Sequence, residues 1–353
     1  MPKPLVSIII ATFNSEHILP KVLDSLVAQS ISKNKIEILI IDGGSSDNTV
    51  KIAKKYGCKI IKNPKRDPIN AKFLGFNAAH GKYLVFTDHD EVLENKRSIE
   101  LKLKAIEAMP EVCVVVSSGY INPEGYAIIN KYINEFGDPF SFFIYRLSKD
   151  KEYFYKTMLK RYKRLKENRE YAIFDLSGNK CVALFELVAG STMINAELIK
   201  KEFPQTKTDV FSLGQSYAFV LSKYPKLGFT LNDGLIHYSA SSFKAYKNKI
   251  KWRVKNNIFY KDSMGKAAYL GRENLQRAGT KIKKYIYPFY VFSLLPVLID
   301  TVWLIYSRKN INYFMHFPLS LYTASCIMYY YILKLLKMNP ELVGYDGMKL
   351  KKI

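Results

Sequence analysis

Apolar and polar positions divide the chain into a first half of strand–helix alternation and a C-terminal end of long apolar runs. Residues 5–11 (LVSIIIA) are β-branched and almost continuously apolar, the pattern of a strand covered on both faces. Residues 12–16 break the run, with Asn14 or Ser15 set to cap a helix whose apolar positions recur at Ile18, Val22, Leu23, Leu26 and Val27. Residues 36–41 (IEILII) form a second buried strand closed by DGGSSDNT, followed by a helix over about 49–56 that stops at Gly57. A short strand at 59–62, a helix over 70–79 and a strand at 83–87 come next, then a helix over 98–109 and a strand at 112–117. This alternation predicts an α/β domain on a mostly parallel central sheet, with its ligands at the carboxyl ends of the strands.

The chemistry gathers at those ends. The strand YLVFT runs into Asp88-His89-Asp90, and residues two apart in an extended chain face the same side. Paired carboxylates there suit a hard divalent cation, Mn2+ or Mg2+, that clamps phosphate oxygens. The plainer reading is an acidic loop that caps the next helix. Asp42 ends its own strand and converges on the same cleft, which favours the ligand reading; His89 reads as a spacer.

Charge sharpens the picture. The chain has 353 residues, with 54 Lys+Arg against 31 Asp+Glu, a formal net charge of +23. That excess favours anionic partners, either nucleotide diphosphates or an anionic membrane surface. No nucleic-acid recognition motif accompanies it, so no nucleic acid is expected. Cys58, Cys113, Cys181 and Cys326 are scattered, which argues against a zinc site or a disulfide framework. The N-terminal apolar run is short, lacks a cleavage-like site and reads as a first strand, not a signal peptide.

SIIIATFNSE, then IEILIIDGGSSDNT, then AKFLGFNAAHGKYLVFTDHDE together resemble the ordered signature of family 2 glycosyltransferases of the GT-A (Rossmann-like) fold, over about the first third of the chain. The resemblance implies a nucleotide-sugar donor, a divalent metal and inversion at the anomeric carbon. By it, Ala11, Thr12 and Phe13 would line the nucleoside pocket and Glu16 would sit near the ribose or base. Asp42 would accept from the base, or else serve the turn before Gly43-Gly44. Lys72, where relatives often carry Arg, would reach the base or diphosphate, or remain a solvated helix lysine. Phe73 stands where relatives often have Asn. Asp90 would hold the metal and Asp88 would contact ribose or metal-bound water; His237 would join the metal or diphosphate, or be structural.

In FELVAGSTMIN, Gly190 and Ser191 match the family's turn beside the acceptor pocket, a role a plain core turn would also explain. Asp209 in KTDVFSL matches the Asp that takes the acceptor proton, and it equally suits a helix N-cap. The family's preceding Glu is Thr208 here, with Glu202 a weaker substitute. An acceptor already ionised, such as a lipid phosphate, needs little help from a base.

Within an aromatic, basic insert over about 120–180, Phe154, Met158, Tyr162 and Leu165 recur at helical spacing and predict a basic amphipathic helix. It would lie on an anionic membrane or pack on the catalytic domain. Residues 244–261 are basic, with Trp252 and Arg253 resembling the membrane-edge helix of lipid-acceptor relatives. The Q-x-x-R-W signature of processive synthases is missing. Residues 285–306 and 314–336 are each apolar over ~20 residues and predict two transmembrane helices with Tyr, Phe and Trp at their ends. Lys281, Lys283 and Lys284 before the first run, and Lys334, Lys337, Lys349, Lys351 and Lys352 around and after the second, predict a hairpin with both ends in the cytoplasm. Arg308 and Lys309 in the turn oppose that orientation, and Asp300 inside the first run requires a partner.

The expected organisation is a catalytic domain over 1–240, membrane-edge helices over 241–284, the hairpin over 285–336 and a basic tail over 337–353. The expected activity is transfer of a sugar from UDP- or GDP-sugar to a lipid-linked acceptor at the cytoplasmic membrane face, with a homo-oligomer left open. The alternatives are extension of a glycan not carried on lipid and, from another class, a haloacid-dehalogenase-type phosphatase using Asp88 and Asp90. That phosphatase class needs its motif on the first strand and a later acidic pair, and this chain has neither.

Overall fold

The continuous apolar run at the N-terminus becomes β1 (Val6–Thr12), buried from Val6 to Ile10. Helix α1 (Leu19–Val27), with Pro20 in its first turn, lays Leu19, Val22, Leu23 and Leu26 on the sheet. Next come β2 (Ile36–Asp42), α2 (Thr49–Lys55), β3 (Lys59–Lys62), α3 (Pro68–Ala78) and β4 (Tyr83–Asp88). Asp67 caps α3 by accepting from the Ile69 and Asn70 amides at 3.0 and 2.9 Å. Gly75 lets α3 approach β1, since a Cβ there would stand 2.4 Å from Ile9 Cγ2. These strands pair in parallel, as the sequence predicts, and their order is β3-β2-β1-β4.

The computed structural model describes residues 3–178, 189–210, 212–213, 220–221, 223–259 and 278–342. Contacts group the described residues into two units, one from Met1–Ile121 with Lys151–His237 and one from Asn122–Asp150 with Tyr238–Leu342. Residues 122–150 therefore group with the C-terminal segment and not with residues 1–121.

Beyond β4 the chain forms β5 (Glu91–Leu93), α4 (Ser98–Glu107), β6 (Val112–Val116) and β7 (Gly119–Ile121). It contributes α5 (Ile128–Phe136) and α6 (Pro139–Tyr145) to the second unit. In the first unit it then forms α7 (Phe154–Arg161), β8 (Lys163–Glu167), β9 (Tyr171–Asp175), β10 (Thr192–Asn195), α8 (Ala196–Glu202), β11 (Lys226–Thr230) and β12 (Gly234–His237). The main sheet runs β3-β2-β1-β4-β10-β6-β11-β9-β8. Strand β10 lies antiparallel to both β4 and β6, and the β11–β9 and β9–β8 pairs are antiparallel too. The mostly parallel expectation thus holds for the first four strands, and the whole sheet is mixed.

The helix expected across Phe154, Met158, Tyr162 and Leu165 is also corrected. It ends at Arg161, Tyr162 is extended at φ −128° and ψ 145°, and Lys163–Glu167 becomes the edge strand β8. An edge strand tolerates a charged sequence that would be costly in the middle of a sheet.

A second sheet, β5-β12-β7, is small and positions much of the site. Its turn is held by a buried ion pair: Lys102 of α4 donates to Asp233 at 2.5 Å and to Ser98 Oγ at 2.6 Å, and Thr230 also donates to Asp233. Burial lowers the Lys102 ammonium's pKa, opposed by the Asp233 charge.

The second unit is helical, completed by α9 (Phe243–Phe259), α10 (Ala278–Phe292), α11 (Leu295–Arg308) and α12 (His316–Leu335). Its core is aromatic, with Tyr132, Phe136, Phe142, Tyr246 and Tyr313 in one cluster and Tyr287 and Tyr290 in another. The first predicted membrane span is not one helix. It breaks between α10 and α11, which meet at 88°. Leu294 adopts φ +61°, and Pro296 sits in the first turn of α11, where it can start a helix but cannot continue one. Among the described residues no single helix is long and apolar enough to cross a membrane, although the bent pair qualifies as a pair by length and composition.

Asp300 has the partner its position demands: Arg146 donates twice to it, at 2.6 and 2.5 Å, and Tyr290 donates at 2.6 Å. Glu135, fully buried, accepts from Arg308 Nε and Ser148 Oγ at 2.7 and 2.8 Å and from the Tyr313 hydroxyl. Lys180, residues 185–188 of FELVAGSTMIN, Lys261 and the tail lysines Lys349, Lys351 and Lys352 lie outside the described residues.

Candidate active site

Two loops at the carboxyl ends of β1 and β2 are laced together by hydrogen bonds. Asn14, at φ +47°, donates its amide to Ser45 Oγ at 2.9 Å, and its side chain accepts from the Ser46 amide at 2.9 Å. The Ser15 amide donates to Thr49 Oγ1 at 2.7 Å and the Glu16 amide to Asp47 at 3.1 Å. Glu16 returns a contact, its carboxylate accepting from the Asn48 amide and side chain at 3.0 and 2.8 Å. Those Asn48 bonds hold the Glu16 carboxyl below its usual pKa.

Asp42 anchors the second loop. It accepts from the Gly44 and Ser45 amides at 2.9 Å each, from Ser45 Oγ at 2.6 Å and from Thr12 Oγ1 at 3.1 Å. Those four bonds match the roughly four lone-pair sites of a carboxylate. The turn role anticipated for Asp42 is therefore real, and Gly44 at φ +87° supplies the left-handed residue the turn needs. Ala11 sits in register with Asp88 across the β1–β4 pair, and Phe13 lies close over Gly43.

At the end of β4, Lys72 of α3 meets Asp88 at 2.7 Å, and its side chain is only 12% exposed. Lys72 is thus no solvated lysine. The register of β12 against β5 sets His237 opposite Glu91, which brings His237 Nε2 to 3.6 Å from Asp90. Tyr120 of β7 lays its ring against His237 at 4.7 Å between centroids.

Glu91 is the residue the sequence reading passed over. Its buried carboxylate accepts from Thr87 Oγ1 at 3.1 Å, the Asp88 amide at 2.9 Å, the Tyr120 hydroxyl at 3.1 Å and the Gly190 amide at 2.9 and 3.0 Å. It ties the acidic turn to β7 and to the turn before β10. Burial pushes the Glu91 carboxyl up to about 7, the Asp88 charge adds to this, and His237 and the Asp88 amide oppose it. The available signal was the carboxylate directly after D-H-D; what hid it was that two of its donors, Tyr120 and Gly190, come from distant segments.

Gly190 and Ser191 both have positive φ, +64° and +50°, and the Ser191 hydroxyl is fully buried with no hydrogen-bond partner among the described residues. Asp209 opens a turn, accepting from the Ser212 amide and hydroxyl at 3.1 and 2.6 Å, the expected N-cap geometry. Glu202 is paired with Lys223 at the surface. Trp252 and Arg253 belong to the second unit, where Arg253 lies 3.8 Å from Asp138.

Among the described residues no cluster of three or more His, Cys, Asp or Glu side chains forms a complete metal cage. Asp90 and His237, both partly exposed, nevertheless have the donor chemistry for a cation that takes its other ligands from phosphate and water. The donor set fits such an ion.

A mixed sheet of this order, with an acidic turn at the end of its fourth strand, defines a GT-A-like α/β fold. The structure of the mannosyltransferase PcManGT from Pyrobaculum calidifontis, in complex with GDP-Man and Mn2+, matches it at a TM-score of 0.51 and 14% identity, covering 96% of this chain and 88% of that one. Residues 7–181 form a glycosyl transferase family 2 domain. The chain is 35% identical over 119 residues to the uncharacterized glycosyltransferase RP339 of Rickettsia prowazekii (strain Madrid E), covering 33% of this chain and 36% of the relative. It is 31% identical over 135 residues to the chondroitin synthase of Pasteurella multocida (strain Pm70), covering 36% of this chain and 14% of the relative. The chain therefore spans well under half the length of these curated relatives. The phosphatase alternative finds no support beside this family match.

Proposed function

We propose that this chain is an inverting glycosyltransferase that moves a sugar from UDP- or GDP-sugar to a lipid-linked acceptor at a membrane surface. The observation that carries the transferase reading is the pairing at the end of β4: Asp88 with Lys72 at 2.7 Å and Asp90 with His237 at 3.6 Å, beside the laced loops of β1 and β2. A departing nucleoside diphosphate gains charge, and positive groups fixed in advance stabilise it. Lys72 supplies one such charge. A divalent cation held by Asp90 and His237 would supply Lewis-acid stabilisation of the diphosphate.

Thr12, Phe13 and the 44–48 loop are the nucleoside side of the cleft. For Asp42 to accept from a base N–H, the freely rotating Ser45 hydroxyl is the donor most easily released. Asp209 is the proposed base for the acceptor proton, and Gly190 and Ser191 the acceptor-side turn. The lipid-linked acceptor is supported by the exposed apolar surface of α10–α12, including Phe289, Leu295, Val302 and Tyr306.

The test uses detergent-solubilised chain with Mn2+, a panel of radiolabelled UDP- and GDP-sugars and polyprenyl phosphate, with Asp90→Ala as control. Label reaching the organic phase only with metal and only with the intact Asp90 is the expected result. A second reading, extension of a glycan not carried on lipid, rests on relatives named as chondroitin synthase and poly(ribitol-phosphate) beta-N-acetylglucosaminyltransferase. Metal-dependent donor hydrolysis without labelled lipid would favour it. Absence of any donor binding would overturn both.

A further inference from the structure

We propose that α10 and α11 form a re-entrant wedge that dips into one leaflet of an anionic bilayer and leaves by the face it entered. This extends the membrane part of the function proposed above, in place of the straight span predicted from the sequence.

Geometry gives the scale. Gly279–Phe292 and Leu295–Arg308 meet at 88°. At ~1.5 Å per residue each arm is ~21 Å long. Tilted at ~45°, both arms reach a depth of ~15 Å, half of a hydrocarbon core of ~30 Å. Length alone leaves crossing open, because the far ends of the two arms are themselves ~30 Å apart by the same rise. Charge separates the two cases. Lys281, Lys283 and Lys284 stand at the outer end of α10, and the exposed Lys309 stands just beyond α11, while Arg308 is turned inward to Glu135. Crossing would carry one basic end through the bilayer, whereas re-entry keeps both at the headgroups of the anionic leaflet. Aromatic rings are exposed on both arms toward those ends, Tyr285 on one and Trp303 and Tyr306 on the other, where interfacial rings belong.

The elbow is built for hydrocarbon. Phe289, Phe292, Leu294 and Leu295 are exposed there. Its backbone is internally bonded: Ser293 N donates to Phe289 O, Leu294 N to Val291 O, Leu295 N to Ser293 O and Leu298 N to Leu294 O, at 2.7 to 3.1 Å. Each of these internal bonds removes a polar group that would be costly to carry unpaired into a bilayer. The one charged residue between Lys284 and Arg308 is Asp300, which Arg146 and Tyr290 hold within the unit. Along α10 and the elbow lies an apolar cavity of about 720 Å³, lined by Phe143, Ile286, Phe289, Phe292, Pro296 and Met328, which a hydrocarbon chain of the same leaflet would fill.

Sidedness decides the matter. Lys283→Cys, Leu295→Cys and Ile311→Cys variants of the full chain are added from outside to sealed vesicles of phosphatidylcholine and phosphatidylglycerol, then treated with a membrane-impermeant maleimide. Labelling is read above that of the wild-type chain. The proposal expects residues 283 and 311 to label from outside at similar rates, with residue 295 shielded by about tenfold or more. Label at 283 from outside, with 311 protected until the vesicles are opened, would establish a crossing and overturn it. So would free labelling of residue 295, or failure of the wild-type chain to float with anionic vesicles. Should one cysteine variant misfold, quenching of Trp303 by brominated lipids in a Trp252→Phe chain measures depth instead, and a Trp303 unquenched at every bromine depth overturns the proposal. None of these readings needs turnover, so failure here leaves the transferase reading to its own assay.

Discussion

The carboxylates at the end of β4 in the first unit and Glu135 in the second are held in opposite ways. In the first, at the end of β4, Asp88 meets Lys72 at 2.7 Å and Asp90 lies 3.6 Å from His237, and both carboxylates stay partly open to solvent. In the second, Glu135 is fully buried, and the donors of Arg308, Ser148 and Tyr313 close around it. An open carboxylate is available for chemistry; an enclosed one orders a core that is otherwise aromatic. Residue type alone does not separate the two, and the number and source of the donors does. Glu91 stands between them, enclosed like Glu135 yet one residue from Asp90.

Substitutions can break this contrast. The largest effect expected is on turnover: Asp90→Ala lowers transfer by about a thousandfold or more while circular dichroism stays unchanged, as for loss of a group that stabilises developing charge. Equal losses of fold and turnover would place Asp90 with the enclosed class. Glu135→Ala does the reverse. It leaves Arg308 buried without its counter-charge and destabilises the helical unit by about 3–5 kcal/mol, read by thermal unfolding. Next is Asp209→Asn, expected to lower transfer by about a hundredfold with donor affinity within about threefold, measured by single-turnover kinetics and donor titration. Unchanged turnover would leave Asp209 as a helix cap only.

The smallest effect sharpens the comparison through pH. Burial raises the Glu37 carboxyl's pKa, but hydrogen bonds from Lys59, Ser7 and the His80 amide outweigh it and lower the value to about 2. A folded-state value below the unfolded one stabilises fully above about 4.5 and is lost as pH falls toward 2. Thermal stability should drop by about 2 kcal/mol across that window, and Glu37→Gln should flatten the drop. A wild-type curve already flat there would show that the Ser7–Glu37–Lys59 link adds nothing.

The parallel half was legible because its strands are continuous apolar runs and its turns carry Gly, Asn and Asp where a turn needs them. The acidic turn was legible for the same reason, whereas Lys72 was singled out only through the family resemblance. Glu91 and Tyr120 were not, because their roles arise where β5, β7 and β12 pair across more than a hundred residues. Strand β8 was misread since Lys163–Glu167 has a single apolar residue, Leu165, whose spacing from Phe154, Met158 and Tyr162 suits a helix, and the sheet edge takes the segment regardless. The bend at Leu294 left one trace, Pro296, which opens a helix as readily as it interrupts one.

One feature of the sheet also sets a timetable for the nascent chain. Among the described residues, strand β10 alone bridges β4 to β6. A ribosome making this protein therefore delivers the β3-β2-β1-β4 half about a hundred residues before the strand that closes its edge. Through that interval Leu84, Val85 and Phe86 stand on an open apolar border, able to recruit a strand from another molecule. Truncation just before residue 192 should leave that border open for good, and such fragments are expected to aggregate rather than persist as half-domains.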